Sequence, residues 1–170
     1  MASVGTPEPQ TIHPRLFRDC AAEFATGVAV ITCVGPAGEP LGVTINSFST
    51  VSLDPPLVLF SLARTLTAID AFTQARGWAI NILSAAQQDH SRIFSQRDSD
   101  RFADIAFTMS PHGNPVIADI LSVFECVPFG IHDGGDHLIF LGRVVHASRR
   151  SEGRPLLYFR GRYATVVDEG

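Results

Sequence analysis

The chain has 170 residues, 45% of them apolar, which fits one globular domain with a sizeable core of its own. A net charge of −4 and the absence of basic clusters argue against nucleic acid as the main partner, and no apolar run approaches the length of a membrane span. All 13 basic residues are arginine, which excludes a lysine Schiff base and a P-loop lysine; any phosphate must be met by arginine, hydroxyls or backbone N–H groups.

Met1 to Gln10 is polar with two prolines and has the pattern of neither a signal nor a transit peptide. It reads as part of a flexible arm over residues 1–14, ahead of a single domain over residues 15–167. The next stretch, Arg15 to Thr26, predicts a helix. Pro14 suits its start, Leu16, Cys20 and Phe24 recur at helical spacing, and Gly27 is a natural stop. Its apolar face is expected in the core.

Val28 to Val34 is rich in β-branched residues and predicts a strand; Gly35-Pro36-Ala37-Gly38 is a turn, and Leu41 opens the returning strand. The hairpin brings Thr26 to Val30 beside Thr44 to Ser49. The most informative stretch is Gly42 to Leu62. Val43, Ile45 and Val51 suit one strand and Leu57 to Phe60 another. Between them stand Thr44, Asn46, Ser47, Ser49, Thr50 and Ser52, then Asp54-Pro55-Pro56, which cannot continue a ladder. A core hairpin does not need so many small hydrogen-bonding side chains. A wall that holds a polar, planar, phosphorylated molecule does.

Ala63 to Thr67 leaves that strand for a helix expected to run to about Ala75, with Arg76-Gly77 ending it. Free N–H groups and the helix dipole favour an anion at such a junction, and Thr65 or Thr67 could equally be an N-cap. Trp78 to Leu83 predicts a short strand with Asn81 at its polar position. Ser84-Ala-Ala-Gln87 fits a capping box, so a helix should run from about Ala85 to Ser95. Gln96 to Asp104 is charged and expected to be exposed, and Pro111 to Pro115 is a loop. Leu121 to Phe129 and Leu138 to Val145 predict two strands about the turn His132 to His137, and Pro155 to Phe159 a last one. The two histidines and two aspartates of that turn invite a metal, but the glycines make a hairpin and no further cluster completes a ligand set, so none is expected. Cys20, Cys33 and Cys126 are scattered and odd in number, which suits free thiols in a reducing cytoplasm. No G-x-S-x-G elbow surrounds Ser47 or Ser49, and no G-x-G-x-x-G offers a dinucleotide a Rossmann bed.

Four stretches, in order, carry a resemblance over about residues 15–165: Phe24 to Thr32, Gly42 to Leu62, Gly135 to Gly142 and Pro155 to Gly161. Together they resemble the flavin reductase family, the short-chain NAD(P)H:flavin oxidoreductases that commonly serve two-component flavin monooxygenases. The resemblance implies a mainly β fold with flanking helices, the antiparallel FMN-binding split β-barrel. It also implies a homodimer whose flavin site lies at or near the subunit interface. It places Thr26, Gly27, Val28, Thr44, Ile45, Asn46, Ser47, Phe48, Ser49 and Ser52 around the flavin ring. Ser61, Leu62, Ala63, Arg64 and Thr67 would hold ribityl and phosphate, with Asn81 and Phe94 nearby. His137, as catalytic residue, with Tyr158 and Arg160, would face the nicotinamide nucleotide. The implied activity is hydride transfer from NADH or NADPH to FMN or FAD, with reduced flavin passing to a partner monooxygenase in the cytoplasm. The alternative is a flavin-binding or haem-binding split-barrel carrier or sensor without reductase activity.

Overall fold

In the computed structural model, residues 11–96 and 100–167 are described. Most of the arm expected over residues 1–14 therefore lies outside the described residues, as do Arg97 and Asp98 of the charged stretch.

Seven antiparallel strands form the main sheet: β2 (Ala29–Val34), β3 (Pro40–Ile45), β4 (Ser49–Leu53), β5 (Pro56–Ala63), β6 (Trp78–Ile82), β9 (Ser122–Gly134) and β10 (His137–Arg149). Their order is β3-β2-β6-β9-β10-β5-β4. The remaining strands are β1 (Thr26–Gly27), β7 (Phe107–Met109), β8 (Pro115–Ile117), β11 (Leu157–Phe159) and β12 (Arg162–Ala164). They form the small sheets β1-β11-β12 and β7-β8. This is a mostly antiparallel split barrel whose sheet does not close, as the expected fold requires.

The stretch Gly42 to Leu62 corrects the sequence reading. It was expected to hold two strands and holds three. β3 ends at Ile45, residues 46–48 are irregular, and β4 then pairs with β5 at the far end of the sheet from β3. The polar run is where the chain crosses the split. Two bonds stitch that split: the Ser47 hydroxyl accepts the Ser61 N–H at 2.9 Å and donates to the Ser61 carbonyl at 3.1 Å.

The core beneath is aromatic. Phe60 and Phe140, which face each other across the β5–β10 ladder, stack at 5.0 Å between centroids, and Trp78 meets both rings edge-on. The indole N–H donates to the Phe72 carbonyl at 3.0 Å, so nothing polar is left unpaired. All three side chains are fully buried, and each contributes roughly 2–3 kcal/mol of transfer free energy.

Three helices flank the sheet: α1 (Pro14–Ala21), α2 (Ile69–Gln74) and α3 (Gln88–Ser95). The Ser84–Gln87 capping box is present, with Gln87 Oε1 accepting the Ser84 N–H at 3.0 Å, and a short 3-10 turn leads into α3 as the spacing predicts. α2 is shorter than expected and starts at Ile69 with no side-chain cap, so neither Thr65 nor Thr67 caps it. α1 also departs from expectation. It stops at Ala21, and its apolar face is not in the core of this chain: Leu16, Phe17 and, just beyond, Phe24 are 57%, 64% and 77% exposed.

Candidate functional site

A cavity of about 300 Å³ opens where the split is stitched. One wall is the end of β3 and the crossing, Val43 to Ser47; another is the end of β5, Ser61 to Ala63, continued by the turn Thr65–Thr67. The C-terminus of α3 supplies Phe94, Ser95 and Gln96, and Arg101 and His137 complete the lining. Of the residues expected at the flavin, Thr44, Ile45, Asn46, Ser47, Ser61, Leu62, Ala63, Thr67 and Phe94 are thus brought together, and with them His137, expected at the nicotinamide. Thr65 and Leu66, within the strand-to-helix junction expected to meet an anion, line it as well; Val43, Ser95, Gln96 and Arg101 also line it and were not anticipated. The last three follow α3 or its exit, in a stretch that looks like solvated surface in the sequence.

The chemistry of the lining differs from a simple row of free alcohols. Ser47 spends its hydroxyl on Ser61, and Thr44 donates to the Ser91 carbonyl at 2.8 Å. These two set the shape of the wall. Asn46, Thr65 and Thr67, by contrast, make no hydrogen bond to the protein among the described residues, through side chain or N–H, and all three are exposed on the cavity. They can offer an amide, hydroxyls and turn N–H groups to a ring edge and a phosphate. An anion would therefore meet the turn before α2, not the dipole of that six-residue helix.

His137 enters the cavity from the first residue of β10, paired with Ala63 on β5. Its Nδ1 lies 2.7 Å from Asp136 Oδ1, and this contact with His137 holds the Asp136 carboxyl below its usual range. With Nδ1 bonded, Nε2 remains for a ligand.

Several expected residues sit elsewhere. Arg64 does not face the cavity. Its guanidinium donates to Asp133 at 2.6 Å and to the Gly135 carbonyl at 2.8 Å, and its N–H donates to the Asp136 carbonyl at 3.0 Å. The guanidinium's hydrogen bond to Asp133 lowers the pKa of that carboxyl, and the whole set ties the β9–β10 turn to the end of β5. Asn81 is fully buried in a central strand. Its amide donates to the Val30 carbonyl at 3.0 Å and its Oδ1 accepts the Ile117 N–H at 3.0 Å, so it anchors the β7–β8 hairpin. Phe48 packs against Phe124, 5.5 Å between centroids. Ser49 and Ser52 lie on β4, beyond the crossing, and neither lines the cavity. Arg160 gives its fork to Glu23 at 2.6–3.0 Å.

Val28 and Tyr158 border a smaller recess of about 200 Å³ that shares Thr44, Ile45 and Asn46 with the main cavity. Thr26 and Gly27 pair with Tyr158 and Leu157 behind that recess, and the Thr26 hydroxyl oxygen is buried without a partner among the described residues. The donors, the recess and the His137 imidazole converge on a slot that suits a planar heterocycle with a phosphate tail. No three potential metal ligands cluster among the described residues.

The Flavin reductase like domain matches residues 21–166 of the chain. The chain belongs to the flavin reductase family. Among family members it is 39% identical to the reductase subunit HsaB of a flavin-dependent monooxygenase from Rhodococcus jostii, over 95% of this chain and 83% of that protein. It is 43% identical to the FMN reductase (NADH) SmoA of Agrobacterium fabrum, over 89% of this chain and 85% of that one. The solved structure of the NADH:FAD oxidoreductase SgcE6 of Streptomyces globisporus, in complex with NAD and FAD fragments, superposes with a TM-score of 0.87. It is 32% identical and covers 95% of this chain and 99% of its own. Some relatives are longer; the chain spans 50% and 48% of two of them.

Proposed function

We propose that this protein is an NADH-dependent flavin reductase, a split-barrel domain over residues 15–167 that supplies reduced flavin to a partner monooxygenase. The observation that carries the reading is the cavity at the stitched split. It gathers nine of the residues that the family resemblance assigns to flavin together with His137, which it assigns to the nicotinamide nucleotide, and its hydrogen-bonding groups at Asn46, Thr65 and Thr67 have no partner among the described residues. Relatives named as reductases using NADH, with FMN in one case and FAD in another, support it.

When bound, the flavin supplies the hydride-accepting chemistry. The protein's part is placement. Val43 and Leu66, both partly exposed, give apolar surface for the ring system over the buried Ile45, Leu62 and Phe94, Asn46 addresses its polar edge, and Ser61, Thr65 and Thr67 meet the ribityl and phosphate groups. His137 holds the nicotinamide nucleotide over the flavin through Nε2, with Asp136 fixing the imidazole. Holding two rings in contact removes the entropic cost of bringing them together, and hydride transfer itself needs no general base.

A homodimer is part of the proposal. The apolar face of α1 and the exposed Leu53 and Phe129 are contiguous with no core of this chain, and a second copy would bury them. Cytoplasmic location is inferred from the free thiols, two of them buried; no helix among the described residues is long and apolar enough to cross a membrane. The experiment is direct. Purified protein given FMN or FAD should oxidise NADH in proportion to enzyme. Flavin binding with no NADH oxidation would leave the carrier reading in its place.

A further inference from the structure

A second cavity, of about 810 Å³, adjoins the first. Leu66, Thr67 and Arg101 line both, so the turn before α2 forms the seam between them. We propose that this second cavity receives the adenosine end of FAD, and that FAD is therefore preferred to FMN. The inference rests on the flavin reductase reading of the first cavity.

Three features point to an adenosine. The first is position. A phosphate held by Thr65 and Thr67 lies on the seam, so whatever extends beyond it enters the second cavity. FMN ends at that phosphate, whereas FAD continues through a second phosphate to a nucleoside. The second is surface. Pro40, Leu41 and Ala68, each partly exposed, offer apolar surface for a purine, and they are backed by the buried Phe102 ring, which Phe94 and Phe107 hold edge-on, each at 5.0 Å.

The third feature is charge. Glu39, Asp70 and Asp100 border the cavity. Carboxylates accept hydrogen bonds and do not donate them, so they suit ribose hydroxyls and the adenine amino group and repel a phosphate. Two of them are held in place by backbone N–H groups: Ala37 donates to Glu39 Oε2 at 2.9 Å and Phe102 to Asp100 Oδ1 at 3.3 Å. This is a nucleoside end, with the phosphates left to the seam. The nicotinamide nucleotide also carries an adenosine, but His137, which would hold that nucleotide, lines the first cavity only.

Calorimetric titration of the full chain with FAD and with FMN tests this. FAD should bind at least about tenfold more tightly, a gap of about 1.4 kcal/mol. Free adenosine should raise the apparent Kd for FAD and leave that for FMN unchanged. Ala103 is exposed on the rim of the second cavity. Ala103→Trp should shrink the FAD-to-FMN preference by about tenfold by filling the space. Equal affinities for the two flavins, or no effect of adenosine, would overturn the proposal. So would an Ala103→Trp variant that raises KM for NADH with FMN as acceptor and leaves the flavin preference intact, since the adenosine would then be the pyridine nucleotide's. Binding of neither flavin would remove the flavin reductase reading as well, a result distinct from equal binding of both.

Discussion

The hydroxyl of Ser47 occupies the place of a missing backbone rung opposite Ser61, accepting that residue's N–H at 2.9 Å and donating to its carbonyl at 3.1 Å. One side chain thus ties the crossing between β3 and β4 to β5 at the floor of the cavity, continuing the register in which Ser49 pairs with Leu59. Ser47→Ala removes both bonds and leaves a half-buried N–H and C=O unpaired, at a cost of about 1–3 kcal/mol. The expected result is a lower Tm together with weaker flavin binding, because the wall and the fold share this bond. Thermal denaturation and flavin titration of the same variant check it. A variant with unchanged Tm and unchanged flavin Kd would show the stitch to be dispensable.

Arg64 clasps the β9–β10 turn and so sets where His137 stands. In Arg64→Ala the Asp133 carboxyl should titrate higher, moving back toward 3.8, because the hydrogen bond that lowers it is gone. The sign for stability follows. A carboxyl whose folded pKa is depressed contributes stability that is present above 3.8 and lost as pH falls through the lower folded value, so the clasp should loosen only in acid. Carboxyl titration by NMR reads the shift. Kinetics should show a raised KM for NADH with kcat changed less, and Arg64→Lys should restore only part of it, because an ammonium cannot reproduce the fork.

Asn81 separates stability from binding. Its side chain closes hydrogen bonds among β2, β6 and β8 in a fully buried position. Asn81→Ala leaves the Ile117 N–H unpaired and opens a small void, so a loss of about 2–4 kcal/mol is expected. Flavin affinity of the protein that remains folded should be close to the parent's. Chemical denaturation combined with flavin titration below the transition would detect the opposite pattern, little loss of stability with a large loss of binding, which would return Asn81 to the site.

The three thiols should behave in two classes. Burial pushes the Cys33 and Cys126 thiols up to about 12, with Glu39 and Glu125 respectively adding to the shift, whereas Cys20 is exposed on α1. A neutral thiol is a poor nucleophile. A disulfide reagent at neutral pH should therefore leave Cys33 and Cys126 unreacted in native protein and titrate all three thiols after denaturation. Because the raised pKa favours the folded state only while these thiols stay protonated, their contribution is complete below 9.0 and fades as pH rises toward 12.

The α1 face tests assembly. Phe17→Asp places a charge on a surface that is 64% exposed in the single chain, so a monomer would tolerate it. If a second copy covers that face, sedimentation should show the dimer shifting toward monomer, by a margin set by the buried apolar area.

Much of this protein was legible from local rules. The Ser84–Gln87 box, the hairpin about Gly35 to Gly38 and the strands Ala29–Val34 and Trp78–Ile82 follow from spacing and turn chemistry over a few residues. The family resemblance likewise pointed to the split barrel and to ten residues that line one cavity, seven of them within its four stretches. What local pattern could not decide is direction and partnership. Val51 extends the same alternation as Val43 and Ile45, yet its strand belongs to the other end of the sheet. Leu16, Phe17 and Phe24 have a core-facing period but no core to face in this chain. Arginine and asparagine carry no sign in sequence of which partner they will take. Arg64 went to a turn 69–71 residues away and Asn81 to the interior, because the fold brings an acidic side chain and a carbonyl to the first and a strand carbonyl to the second. Composition determined that hydroxyls would gather near the split; only the closing of distant strands decided which of them are spent on the wall and which are left for a ligand.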